Sequence, residues 1–132
     1  MSQVKVLLAM TGLDPNNKRI RLLARSLKET GGVEVYYSGM YKSLEENALE
    51  AVRLQADLVG LSIYTGLHLT VFPEMRQALD AAGGKHIELF GEGLIPAQDA
   101  RALMDQGTVS AIFASTVPIN TIVEWIKSRP TS

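Results

Sequence analysis

The side chains of this 132-residue sequence that could do chemistry gather in four short segments, Thr11–Arg19, Ile63–His68, Glu92–Ala97 and Ala114–Pro118. Gly, Ser, Thr and Pro recur in these segments, so a ligand could approach the backbone closely. What is missing bounds the chemistry. With no cysteine, thiolate metal sites, iron–sulfur clusters, structural disulfides and a cysteine nucleophile are all excluded. The two histidines, His68 and His86, are too far apart for an i, i+4 ligand pair, and no Ser-His-Asp order suggests nucleophilic catalysis. His68 reads as a residue at a helix start and His86 as a surface residue opening a strand. Glu45, Glu46, Glu50, Asp99 and Asp105 read as solvated helix faces rather than paired catalytic carboxylates. No catalytic residue and no metal ligand is assigned.

The elements that must position these segments alternate strictly. Apolar, β-branched runs at Val4–Met10, Val33–Ser38, Leu58–Ser62, His86–Gly91 and Val109–Phe113 are near-continuous, as in parallel strands covered on both faces. Helical patterns fall at Asn17–Thr30, Leu44–Gln55, Leu69–Ala82, Ala97–Gln106 and Ile119–Ser128. Ser43 followed by Glu46 predicts a capping box. Asp14-Pro15 reads as an N-cap followed by a first-turn proline. Trp125 lies at core spacing with Ile122 and Ile126. This β-α alternation predicts an α/β, flavodoxin-like (Rossmann-like) doubly wound sheet of five parallel strands, order 2-1-3-4-5, forming one domain over residues 1–132. Ligands of such sheets bind outside the carboxyl ends of the strands, where the four segments lie.

Thirteen Lys plus Arg against fourteen Asp plus Glu leave a formal net charge of −1, and no basic run stands out, so no nucleic-acid partner is expected. No apolar stretch approaches the ~20 residues that span a bilayer. The first residues run directly into a strand pattern, which predicts no membrane contact and a cytoplasmic protein.

Two occupants of this fold are testable on the residues. A phosphoacceptor domain needs an Asp ending the third strand and an acidic pair after the first; here those strands end Leu61-Ser62 and Ala9-Met10-Thr11, so that chemistry is absent. A flavin or nucleotide site would use the first helix's N-terminus with Lys18 and Arg19 on phosphate, and Thr11 and Gly12 hint at it only weakly.

The loops carry a more specific likeness. Leu8–Asp14, Gly60-Leu61-Ser62, His68–Pro73 and Gly91–Pro96 resemble the cobalamin (B12)-binding domain of B12-dependent mutases, above all the small subunit or C-terminal domain of methylmalonyl-CoA mutase and related acyl-CoA mutases. In that family an Asp-x-His-x-x-Gly motif follows the first strand. Its His replaces the cofactor's own base beneath cobalt, and its Asp orients that His. A Ser-x-Leu motif and a Gly-Gly pair line the slot for the displaced nucleotide tail. Laid on this chain, the resemblance puts Asp14 at the Asp, Asn16 at the ligand His and Arg19 at the closing Gly. Ser62 keeps the serine, Tyr64 stands at the Leu, Glu92 stands at the first Gly, and Gly91 and Gly93 are glycine. Asn16 offers cobalt no imidazole, and Glu92 with Tyr64 obstructs the tail.

The resemblance therefore implies a B12-binding-like domain whose His-on cobalamin ligation is lost. Such a domain has an accessory or partner-binding role, is not catalytic alone, and has no cofactor. The alternative is a functional cobalamin-binding small subunit of a two-chain acyl-CoA mutase, an isomerase. The partner implied is a large TIM-barrel mutase subunit or another protein, with a homo-oligomer also open.

Overall fold

The computed structural model describes residues 3–10, 18–38 and 42–131. Five strands, β1 (Val4–Met10), β2 (Val33–Tyr37), β3 (Leu58–Ile63), β4 (Glu88–Gly93) and β5 (Ala111–Ala114), alternate with five helices. These are α1 (Lys18–Thr30), α2 (Leu44–Leu54), α3 (His68–Ala81), α4 (Ala97–Asp105) and α5 (Ile119–Lys127). All strand pairs are parallel and the order is β2-β1-β3-β4-β5, as the alternation predicts. Among the described residues, no helix is long and apolar enough to cross a membrane.

The two-residue period of the strands sorts the core into two layers. Val4, Val6, Leu8 and Met10 of β1 face Ile20, Leu23 and Leu27 of α1 and Ile122 and Ile126 of α5. Leu7 and Ala9, with Val59, Leu61 and Ile63 of β3, face α2, α3 and α4 through Ala48, Ala51, Phe72, Met75, Leu79 and Leu103. Because β1 and β3 lie inside the sheet, nearly every side chain on them is buried, which is why their sequences read as apolar runs. Trp125 completes the α1–α5 layer, packing on Phe90 and Phe113 at centroid distances of 5.4 and 5.5 Å. The capping box forms: Ser43 Oγ accepts from the Glu46 amide at 3.0 Å, and Glu46 accepts from the Ser43 amide at 2.9 Å.

Element ends depart from the sequence pattern where it matters for the site. The fourth strand is predicted over His86–Gly91 but starts at Glu88 and runs to Gly93. His86 lies on the surface in the preceding turn rather than opening the strand. Gly91-Glu92-Gly93 has turn composition, yet its backbone pairs in register with Leu61-Ser62-Ile63. Glu92 and Gly93 are therefore strand residues rather than loop residues. The fifth strand starts at Ala111 instead of Val109, because the ladder with β4 begins at the Phe90–Ala111 pair. The third helix begins one residue early, at His68. Asp14, Pro15 and Asn16, and with them the predicted helix cap and the ligand-His position, lie outside the described residues.

Gly60 is glycine for a steric reason: a Cβ there would collide with the Phe90 ring. That ring is buried against Phe113 and Trp125 and has nowhere to retreat. Gly60→Ala is expected to cost about 1–3 kcal/mol, as overpacking of a filled core does. Chemical denaturation measures it, and an unchanged midpoint would contradict this packing account.

Candidate functional site

The parallel register of β1, β3 and β4 puts Met10, Ser62 and Glu92 side by side near the carboxyl ends of their strands. Ser62 and Glu92 are both fully buried. Taking an isolated carboxylate out of water costs several kcal/mol unless its oxygens are satisfied. Here they are. Ser62 Oγ donates to Glu92 Oε1 at 2.6 Å, and Tyr64 Oη donates to Glu92 Oε2 at 3.0 Å. The Arg19 guanidinium lies 3.5 Å from Glu92 Oε2 through Nε and donates from Nη2 to the Val117 carbonyl at 2.6 Å. At 3.5 Å the arginine acts more as a neighbouring charge than as a tight donor, so the short serine bond fixes the carboxylate's position. Tyr64 feels the same surroundings. Burial first, and then the Glu92 charge and hydrogen bond, push its phenol up to about 12, with Arg19 opposing.

The glycines flanking Glu92 are dictated by sterics. A Cβ on Gly91 would strike the Phe72 ring on the opposite face of the sheet. Gly93 has φ of 144°, and a Cβ there would collide with the Ile63 carbonyl. The middle position alone has room for a side chain.

A second polar contact was not foreseen in the sequence. Asp99, read as a residue of a solvated helix face, instead pairs with His68: His68 Nε2 and Asp99 Oδ2 are 2.7 Å apart. The His68 ring is buried at the start of α3, and its Nδ1 has no partner among the described residues. The contact ties α3 to α4 beside a cavity of about 440 Å³ over the strand ends, walled by His68, Leu94, Ile95, Pro96 and Ala114. Leu94 in its wall is exposed, as are Leu67 and Leu69 on either side of His68 in the chain. Among the described residues, no three His, Asp or Glu side chains converge to hold a metal ion.

Of the residues singled out in the sequence, Arg19, Ser62, Tyr64 and Glu92 thus meet, with Gly91 and Gly93 on either side. Arg19, the phosphate ligand of the flavin or nucleotide alternative, is engaged inward. The sequence reading assigns no contact between Arg19 and Glu92. The available signal was their opposite charge at two positions where the resembling family has glycine.

The B12 binding domain family model matches residues 4–117. The chain belongs to the B12-binding domain family. This B12-binding domain is 33% identical over 125 residues to the 2-hydroxyisobutanoyl-CoA mutase small subunit of Aquincola tertiaricarbonis, covering 95% of this chain and 90% of that one. It is 31% identical over 123 residues to the pivalyl-CoA mutase small subunit of Xanthobacter autotrophicus, covering 93% and 81%. It is 30% identical over 123 residues to the methylmalonyl-CoA mutase large subunit of Propionibacterium freudenreichii, covering 93% of this chain but 17% of that longer one. Among solved structures, a cobalamin-binding protein from Desulfitobacterium hafniense superposes with a TM-score of 0.73 at 21% identity, over 94% of this chain and 58% of that one. A response regulator from Desulfuromonas acetoxidans does so at 0.67 and 16%, over 94% of each. Those two likenesses are of fold.

The Tyr64 shift sets a pH dependence. Its folded value, about 12, lies above the ordinary 10.0, so the unfolded chain releases this proton first. The contribution is intact below pH 10 and is lost as pH rises toward 12. Wild type is expected to lose stability across that window more steeply than Tyr64→Phe in urea denaturation; parallel curves would contradict the buried contact with Glu92.

Proposed function

We propose that this B12-binding domain is a partner-binding module of the mutase small-subunit type, not catalytic alone, in which His-on cobalamin ligation is lost. The observation that carries the reading is the Glu92 carboxylate, 1% exposed and saturated by Ser62, Tyr64 and Arg19. In the resembling family, bare glycine backbone and a serine in this region line the slot for the nucleotide tail. Here a carboxylate and a phenol stand at two of those positions, with the Arg19 guanidinium against the carboxylate. An inserted tail would displace Glu92 from three partners and leave its charge buried, at a cost of several kcal/mol. Asn16 adds a second obstacle, because an amide offers cobalt no imidazole nitrogen. The residues present therefore do not fit the displaced-tail form of the cofactor. Pairing with a large mutase-type chain is supported by the two relatives named as small subunits, which this chain matches over most of their length.

The test is retention of cobalamin. Purified protein mixed with hydroxocobalamin and desalted is expected to emerge colourless. Asn16→His alone is expected to stay colourless, because the tail still meets Glu92. Asn16→His with Arg19→Gly and Glu92→Gly is expected to retain more cofactor than the single changes summed, since ligation and tail insertion are coupled. A red wild-type protein, with affinity better than about 1 μM and a protein nitrogen on cobalt by electron-spin spectroscopy, would establish the cobalamin-carrying small subunit instead.

A further inference from the structure

Helix α1 carries five of the thirteen cationic residues, Lys18, Arg19, Arg21, Arg25 and Lys28, against one acid, Glu29. It therefore holds a formal +4 in a chain whose net charge is −1, leaving −5 on all other residues. The molecule is electrically polarised in a way its overall balance hides. Only Arg19 turns inward, to Glu92 and Val117. Lys18, Arg21, Arg25 and Lys28 are exposed and recur every three or four residues, so they line one face of the helix.

Helix stability does not account for this stripe. The N-terminal end of a helix is positive and favours acids, yet the first turn of α1 has none and begins with cations. Arg25 pairs with Glu29 at 3.1 Å, but both side chains are largely exposed, and such a pair contributes little. Lys18, Arg21 and Lys28 make no ion pair among the described residues. The stripe also has an apolar element: Leu22 is 47% exposed. Two shallow grooves run beside the Arg21–Arg25 ridge, one of about 390 Å³ with Lys18 and Leu22, the other of about 330 Å³ with Lys28 and Tyr37.

We propose that the outward face of α1 docks an acidic surface of a partner protein, with Leu22 as the apolar contact and Lys18, Arg21 and Arg25 as the flanking charges. The proposal rests on the partner-binding reading and supplies the partner's chemistry. A convex ridge with cationic flanks and an exposed leucine suits a protein surface, where charge sets orientation and association rate. A single-stranded nucleic acid suits it less, because among the described residues one aromatic ring, Tyr37, lies alongside for base stacking.

The probe is a fluorescent helical peptide with Glu at every third or fourth position and Leu along one edge, titrated by anisotropy over a salt series beside a single-stranded oligodeoxynucleotide of equal charge. Wild type is expected to bind the peptide more tightly than the oligonucleotide, with affinity falling as salt rises. Arg21→Glu with Arg25→Glu is expected to weaken peptide binding at least tenfold, and Leu22→Ala several-fold with the salt slope kept. Circular dichroism and thermal unfolding of the variants report whether the fold is retained; should the double variant unfold, Arg21→Gln with Arg25→Gln takes its place. No peptide binding, binding unchanged by the charge substitutions, or an oligonucleotide bound as tightly would each overturn the proposal. Retention of hydroxocobalamin by the same wild-type sample would overturn the functional reading without altering the peptide result, so the two fail separately.

Discussion

A carboxylate without solvent is the constraint around which the rest of the site is arranged. Glu92 sits on β4 between two glycines that sterics forbid to change, and its side chain turns toward the α1–α5 face. Once it is there, its oxygens must be satisfied, because an unpaired buried charge costs more than any one contact in the fold returns. Ser62 is supplied by the next strand in register, Tyr64 by the turn after that strand, and Arg19 by the first turn of α1. Arg19 then reaches the Val117 carbonyl in the turn before α5. One carboxylate thus links β3, β4, α1 and the last turn of the sheet, the region that a ligand of this fold would otherwise share.

The scaffold beneath is conservative in its physics. Two apolar layers on either side of β1 and β3 set the architecture, and tight aromatic contacts over Gly60 and Gly91 hold the sheet's spacing. None of this depends on the site residues. A family fold can therefore persist while the residues over its strand ends change, and the outer face of α1 can acquire charge without disturbing the inner one.

The architecture was legible because burial on both faces writes itself into a strand as a continuous apolar run, and amphipathic helices show their period. The α2 cap was legible because Ser43 and Glu46 are three residues apart. Glu92 and Gly93 were read as loop because Gly-Glu-Gly has turn composition, while the pairing that makes them strand comes from β3. The Arg19–Glu92 contact spans 73 residues and the His68–Asp99 contact 31, and no local pattern carries either. The glycine-to-charge changes were visible one by one; that they compensate each other is a fact of three dimensions. The basic face of α1 was missed because its cations are spaced around a helix and do not form a run.

Whether Arg19 and Glu92 act as a unit is measured directly by a double-mutant cycle on stability. Arg19→Met, Glu92→Gln and the double variant would be compared with wild type by urea denaturation at neutral pH. Because Arg19 is partly exposed and 3.5 Å from the carboxylate, a coupling energy of about 1 kcal/mol is expected, at the low end for a buried network. Changes that add within about 0.3 kcal/mol would contradict the account and make the two charges independent neighbours.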